Sequence, residues 1–213
     1  LVQLFFGITE PKNVVATYAH DAVWFIAGSL AMGATMVKYG LDKRIGMLVM
    51  NLSGTKVRNV VLGILVGTAI PSAFISEASI APMFLPIAMA LYTLTSKKIG
   101  DAPQLGKLLM MSIAIGCMVG APMSPTGGAR NAIMIGFLGN LGPEYEISFM
   151  QWMILGSFYT FFLGLFFAFL LPLLYKPEVD DLSDAVNTLR EDLKKHGKMT
   201  REQWLVSGIA LLM

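Results

Sequence analysis

Four stretches of the chain run for a membrane-relevant length with one charge or none. A hydrocarbon core about 30 Å thick needs roughly 20 helical residues to cross. Trp152 to Tyr175 is uncharged, rich in phenylalanine and long enough to span as one helix. Ala22 to Val37 is uncharged up to Lys38, can be capped by Asp21 and can be lengthened by the preceding VVATYAH. Val60 to Ser96 and Leu108 to Pro143 are too long for a single straight crossing, since about 36 helical residues would measure roughly 54 Å. Each is interrupted near its centre, the first by IPSAFISEAS and the second by GAPMSPTGGARN. Each therefore reads as two short apolar arms meeting at a polar break.

The pieces between the spans have a different periodicity. LDKRIGMLVMNLSGTKVRN has the pattern of a short amphipathic helix lying along the membrane surface. Leu182, Ala185, Val186, Leu189 and Leu193 recur at helical spacing, with Gly197 as a stop, so the tail predicts one more amphipathic helix. TREQ, from Thr200 to Gln203, has capping-box spacing and opens a further apolar helix. Because the chain begins without methionine and stops inside the apolar run WLVSGIALLM, it is expected to be a piece of a longer polypeptide.

Composition narrows the class. The chain of 213 residues is 55% hydrophobic and 14% charged, against about 25% charged in ordinary soluble domains. That balance is the balance of an integral membrane protein. The formal net charge of +2 gives no support to a nucleic-acid partner. One cysteine, Cys117, excludes an intrachain disulfide, and there is no CxxC or His/Cys cluster of the kind that binds zinc. His20 and His196 are isolated in the sequence, and the methionines read as gap-filling apolar residues.

Basic residues predict the topology, because they concentrate in cytoplasmic connections. Lys38, Lys43, Arg44, Lys56 and Arg58 outnumber Asp42 in the segment after the first span, KKIGDAPQLGK holds three lysines, and the tail from Lys176 is also rich in them. GNLGPEYEIS holds none and is expected outside. With both of its ends inside, Val60 to Ser96 must enter and leave by one face as a re-entrant hairpin. Leu108 to Pro143 then crosses once with an unwound middle, and Trp152 to Tyr175 returns.

Non-helical backbone at membrane depth leaves N–H and C=O groups unpaired, and it is tolerated only where it is buried in protein or lines a wet cavity. Glycine and proline also kink helices without further purpose, but each break here carries one ionisable residue, Glu77 in the first and Arg130 in the second. Near mid-bilayer such a side chain costs roughly 2.5–3.5 kcal/mol on insertion scales, so both are expected to face a partner or a solvated site. The first break adds the oxygens of Ser72, Ser76 and Ser79. The second adds Gly120, Gly127 and Gly128 for unusual backbone, Pro122 and Pro125 as helix stops, and Ser124, Thr126 and Asn131 as polar groups. Half-helix N-termini facing one another suit a small anion, and exposed carbonyls suit a cation.

At these motifs the sequence resembles the divalent anion/sodium symporter family of secondary transporters. FISEASIAPMFLPIA is similar to the family's FISNTAT hairpin signature and the apolar arm after it, and GAPMSPTGGARNAI is similar to its second signature, a GTLIGTPPN type of loop. GLDKRI, the amphipathic tail helix and MTREQW fall where the family has similar pieces, so the resemblance covers most of the chain. It implies an all-α membrane protein: one half of an inverted-repeat transporter with a re-entrant helical hairpin and a broken transmembrane helix. It also implies a homodimer in the inner (plasma) membrane, in contact with lipid. Such a protein would move dicarboxylates, citrate or sulfate by an elevator-type motion coupled to sodium.

On that resemblance, residues 1–175 form the N-terminal transmembrane repeat, with the hairpin at 60–96, the broken helix at 108–142 and the spanning helix at 150–175. Residues 176–200 form the cytoplasmic amphipathic helix and 201–213 the start of the next span. The substrate would be bound by Ser76, Glu77, Ala78, Ser124, Pro125, Thr126, Arg130 and Asn131, and sodium by Ser72, Ser76, Glu77, Gly120 and Gly127.

Three positions depart from the family pattern. Ser76 keeps the signature serine, but Glu77 replaces its asparagine, Ala78 replaces its threonine, and Arg130 stands where the second motif usually has proline. An ionised Glu77 about 4 Å from an anionic charge would be repelled by roughly 4 kcal/mol at an effective dielectric near 20. It must therefore be protonated, paired with a cation or turned away. Arg130 is the fixed cation available, expected across the gap from Glu77, where it neutralises that carboxylate or grips a carboxylate of the substrate. Sodium coupling, proton coupling and exchange without sodium all stay open, as does a cation/proton antiporter using Glu77. No Ser/His pair, paired aspartates or HExxH supports an intramembrane enzyme.

Overall fold

The computed structural model describes residues 38–75, 77–194 and 199–212, together with 6, 27, 28, 31, 32 and 34–36. Among the described residues the protein is helical, without β-strands. The expected span at 22–37 lies largely outside them, although Met32 and Met36 are described as helical and buried in the core. His20, His196, Gly197 and Ser76 also lie outside the described residues.

The surface segment forms α1, Leu41–Ser53. It is shorter than the amphipathic stretch in the sequence because Gly54, at φ 75°, turns the backbone into a region that side chains disfavour. Three residues later the chain enters α2, Val57–Ser72, which a tight turn joins to α3, Glu77–Ile99. These two helices are the arms of the hairpin. At 1.5 Å per residue α2 is about 24 Å long and α3 about 34 Å. The last turn of α3 carries Lys97 and Lys98, and Lys98 pairs with Asp184 beyond the arm.

The second interrupted stretch begins with α4, Pro103–Gly120. Two single 3-10 turns follow, Ala121–Met123 and Pro125–Gly127, and α5, Ala129–Leu141, resumes the helix. Ser124 and Gly128 are both extended, so the interruption is a true change of backbone and not a kink. The arms are unequal, with 18 residues before the break and 13 after it.

The long Phe-rich helix α6, Phe149–Leu174, opens with a capping box made by Ser148 and Gln151. Glu77–Ile99, Pro103–Met123 and Phe149–Leu174 are each long and apolar enough to cross a membrane. Only 11% of the most apolar window of α6 is buried inside the chain, and Phe158, Phe161, Phe162, Phe166 and Phe169 are exposed. An apolar surface of that extent requires lipid or further protein against it.

The core is where α2, α3 and α4 meet: Val60, Val61 and Ile64 from the first, Ile80, Phe84 and Leu91 from the second, and Leu105, Leu108 and Leu109 from the third are all essentially inaccessible. The α2–α4 seam depends on small residues. A Cβ on Gly116 would fall 2.9 Å from the Leu65 carbonyl oxygen, and one on Gly120 would fall 2.5 Å from Cα of Ala69. The Gly116/Gly120 pair is thus a packing seam within the chain.

A connector after α6 locks the polar end of the bundle. Val57 donates its N–H to the Asp180 carbonyl (3.0 Å), and Leu182 donates to that of Thr55 (2.8 Å). The Glu178 carboxylate accepts the N–H groups of Gln104 and Leu105 at 2.8 and 3.0 Å, capping α4 from a distant part of the chain. Burial alone would raise the Glu178 pKa, but these N–H bonds outweigh it and hold the carboxyl below its ordinary value. The tail helix α7, Ser183–Lys194, buries Ala185 and Val186. In α8, Arg201–Leu212, the predicted capping box is present: Gln203 N donates to Thr200 Oγ1 (3.3 Å) and Thr200 N donates to Gln203 Oε1 (3.2 Å).

Candidate functional site

The breaks of the two interrupted stretches lie against each other. Glycine makes this possible at one point: a Cβ on Gly127 would stand 2.8 Å from the carbonyl oxygen of Ser72, 2.9 Å from that of Ala73, and nearer still to that of Ala121. No real side chain tolerates such distances to backbone. Three carbonyl oxygens, two from the hairpin tip and one from the second break, therefore converge on the bare side of Gly127.

Across the same junction Arg130 meets Glu77. Its Nη2 lies 2.8 Å from Oε1 and 2.7 Å from Oε2. Glu77 is the first residue of α3 and Arg130 is in the first turn of α5, so the pair sits where two helix N-termini come together. The positive ends of both helices favour an anion here, and the guanidinium adds a full charge. Pro82 reinforces the polarity of the tip, because it has no N–H to give the carbonyl of Ala78. The Ala78 side chain itself is exposed.

The second break is held open by side chains that pair its freed carbonyls. Asn131 is buried and its Nδ2 donates to the carbonyls of Ala121 (2.8 Å) and Ser124 (2.7 Å). Ser124, fully buried, shares a 2.7 Å hydroxyl contact with Thr126 and accepts the Thr126 N–H at 3.1 Å. From α6, Trp152 Nε1 donates to the Pro122 carbonyl (3.0 Å) and Thr160 Oγ1 to that of Val119 (2.9 Å). At the hairpin tip Ser72 is buried and donates its hydroxyl to the Thr68 carbonyl at 2.6 Å.

The structure thus brings together Ser72, Glu77, Ala78, Gly120, Ser124, Pro125, Thr126, Gly127, Arg130 and Asn131 on the two breaks and the seam between them. Ser76 falls outside the described residues. Trp152 and Thr160 were missed in the sequence. The signal was there: Trp152, Gly156, Thr160 and Gly164 recur every four residues along the Phe-rich helix, which puts them on one face. Gly156 completes the contact, since a Cβ on it would stand 2.8 Å from Cα of Met123.

Residues 2–213 match the family model described as the sodium:sulfate symporter transmembrane region. The chain belongs to the sodium:sulfate symporter family. It is 24% identical to the sodium-dependent dicarboxylate transporter SdcS of Staphylococcus aureus (strain USA300) over 217 residues, which covers 96% of this chain and 41% of that protein. It is also 24% identical to the SdcS protein of Staphylococcus saprophyticus, over 212 residues covering 96% of this chain and 41% of the relative. A protein called only a membrane protein, from Cupriavidus necator, is 24% identical over 202 residues, 92% of this chain and 38% of its own length. The chain therefore spans about two-fifths of the length of these curated relatives. It is an all-α, multi-pass integral membrane protein of this family.

Proposed function

We propose that the protein is a secondary active transporter of a small divalent anion, of the dicarboxylate, citrate or sulfate class, coupled to sodium. The observation that carries this reading is the joining of the two breaks through Gly127 and through the Glu77–Arg130 pair. In a membrane, two loosened helix ends with opposite charges make a solvated site in which helix N-termini attract the anion and main-chain oxygens attract the cation. The substrate lies against 76–78 and 124–131, with Arg130 on one of its acid groups and Ser124, Pro125, Thr126 and Asn131 forming the loop that carries it.

Sodium, as the co-transported ion, suits the donors present. The hydroxyl of Ser72, the carbonyl oxygens around Gly127 and the Glu77 carboxylate are all hard oxygen ligands. Ser76 and Gly120 complete the proposed set. The hairpin is re-entrant in this reading: α2, at about 24 Å, is shorter than a hydrocarbon core of about 30 Å, and the longer α3, at about 34 Å, ends beyond the core with Lys97 and Lys98. The rest of the reading rests on family membership. The chain is one of two inverted repeats, the protein is a plasma-membrane homodimer, and the repeat's hairpin and broken helix move together in an elevator-type step.

A second reading has one specific observation in its favour. Because the Glu77 carboxylate already has a fixed cation beside it, the site is neutral without sodium, as an anion exchanger would require. One experiment separates the two: uptake of labelled succinate and labelled sulfate by proteoliposomes containing the full-length protein. The sodium-coupled reading expects accumulation driven by an inward sodium gradient. Uptake that needs internal anion and ignores sodium would replace it with exchange. Uptake of neither anion under any gradient would overturn the transport reading.

A further inference from the structure

The geometry of the Glu77–Arg130 pair carries more than charge neutrality. Both of its contacts come from one guanidinium nitrogen, Nη2. A guanidinium holds a carboxylate best side by side, through two parallel N–H···O bonds from two nitrogens. The pair is therefore formed, but without the fork geometry that would make it strongest. Its members are also accessible, the Arg130 side chain 65% exposed and that of Glu77 31%. Among the described residues, nothing lies within 4 Å of where a Cβ on Gly128 would stand, and Gly128 itself is buried. Gly128 is the N-cap of α5 and has no side chain to cap that helix, so the leading amides of α5 add to the pull of Arg130 on an anion.

We propose, resting on the transport reading, that Glu77 is a built-in competitor for the anion site. Its carboxylate occupies Arg130 while no substrate is bound, and one carboxylate of a small dicarboxylate displaces it by taking the guanidinium in the fork geometry that Glu77 does not reach. The ligand group is matched by chemistry: the acid already seated on Arg130 is itself a carboxylate at a helix N-terminus. Displacement has a second consequence. Once released, Glu77 is an anion beside a dianion, and it is neutralised by taking up sodium. Substrate binding is thereby tied to the binding of one cation, a link that a neutral residue at position 77 would lack.

The test is titration of the full-length protein with succinate at several fixed sodium concentrations, by calorimetry, for wild type, Glu77→Gln, Arg130→Gln and the double variant. Glu77→Gln is expected to bind succinate about fivefold more tightly, the factor that an exposed ion pair is worth at the upper end of its usual range. Its affinity should also respond less to sodium. Arg130→Gln should weaken binding by about tenfold or more, the scale of a lost charged hydrogen bond. The double variant should bind more tightly than Arg130→Gln at low sodium, where an unpaired Glu77 repels the dianion, and match it at saturating sodium, where no guanidinium is left to mask. Glu77→Asp, with a shorter reach, shifts in the same direction by a smaller factor, so the result does not depend on one variant folding. If Glu77→Gln and Glu77→Asp bind no more tightly than wild type while Arg130→Gln loses binding, the anion site stands and the competitor is overturned. If Arg130→Gln binds like wild type, or wild type binds neither succinate nor sulfate, the competitor falls together with the site it was placed in.

Discussion

Gly127 and Gly128 are adjacent and both buried, but among the described residues an added Cβ meets backbone only at Gly127, so alanine at each makes a matched pair. At Gly127 a methyl group would stand 2.8 and 2.9 Å from the carbonyl oxygens of Ser72 and Ala73, and closer to that of Ala121. These atoms are backbone and cannot rotate away. The hairpin tip and the second break must therefore separate by several tenths of an ångström. Overpacking of this kind costs about 1–3 kcal/mol. With about 2–4 °C per kcal/mol for a domain of this size, Gly127→Ala should lower the Tm by about 2–12 °C. Gly128→Ala should do nothing comparable, because its φ of −176° is ordinary extended backbone and, among the described residues, nothing lies within 4 Å of the new methyl. The assay is thermal unfolding of the full-length protein in detergent, with and without sodium and succinate. Gly127→Ala should also lose the stabilisation by sodium, while Gly128→Ala keeps it. Equal damage from the two variants, or a neutral Gly127→Ala, would refute the claim that the two breaks meet at this residue.

Trp152→Phe leaves the Pro122 carbonyl without its donor while preserving most of the ring, and is expected to cost about 1–3 kcal/mol, read as a lower Tm. Gly116→Leu forces α2 from α4 and should abolish folding or leave a protein that no longer retains bound substrate, measured by size-exclusion chromatography and ligand binding. Glu178→Gln removes a charged cap from α4 and is expected to cost about 1 kcal/mol at neutral pH. Because the Glu178 pKa is lowered in the folded protein, its contribution is present above the ordinary carboxylate range and is lost as pH falls through the folded value. Unfolding measured against pH should therefore show wild type and Glu178→Gln converging toward acid.

Much of this arrangement was legible in the sequence, because the signals were local. Pro122, Pro125 and the Gly127–Gly128 pair, clustered within seven residues, disfavour a continuous helix, so the interruption between α4 and α5 could be placed to within a few residues. Thr200 and Gln203 announced their capping box by spacing alone. Two lone charges in apolar surroundings needed partners, and Glu77 and Arg130 are each other's. What escaped depended on contacts between distant segments. Glu178 caps a helix that begins more than seventy residues earlier, and no local pattern in KPEVDD marks it as a cap. The start of α2 at Val57 is set partly by pairing with Asp180, which periodicity cannot reveal. Asn131 looked like a polar group offered to a ligand, yet its amide nitrogen braces the loop on which the other candidate residues sit.

The most direct measurement is a structure of the full-length protein with succinate and sodium bound. The account predicts ligand density between 76–78 and 124–131, with the Arg130 guanidinium on a carboxylate of succinate and Glu77 turned away from it. Density elsewhere, or a hairpin tip and second break that stand apart with no ligand between them, would contradict it.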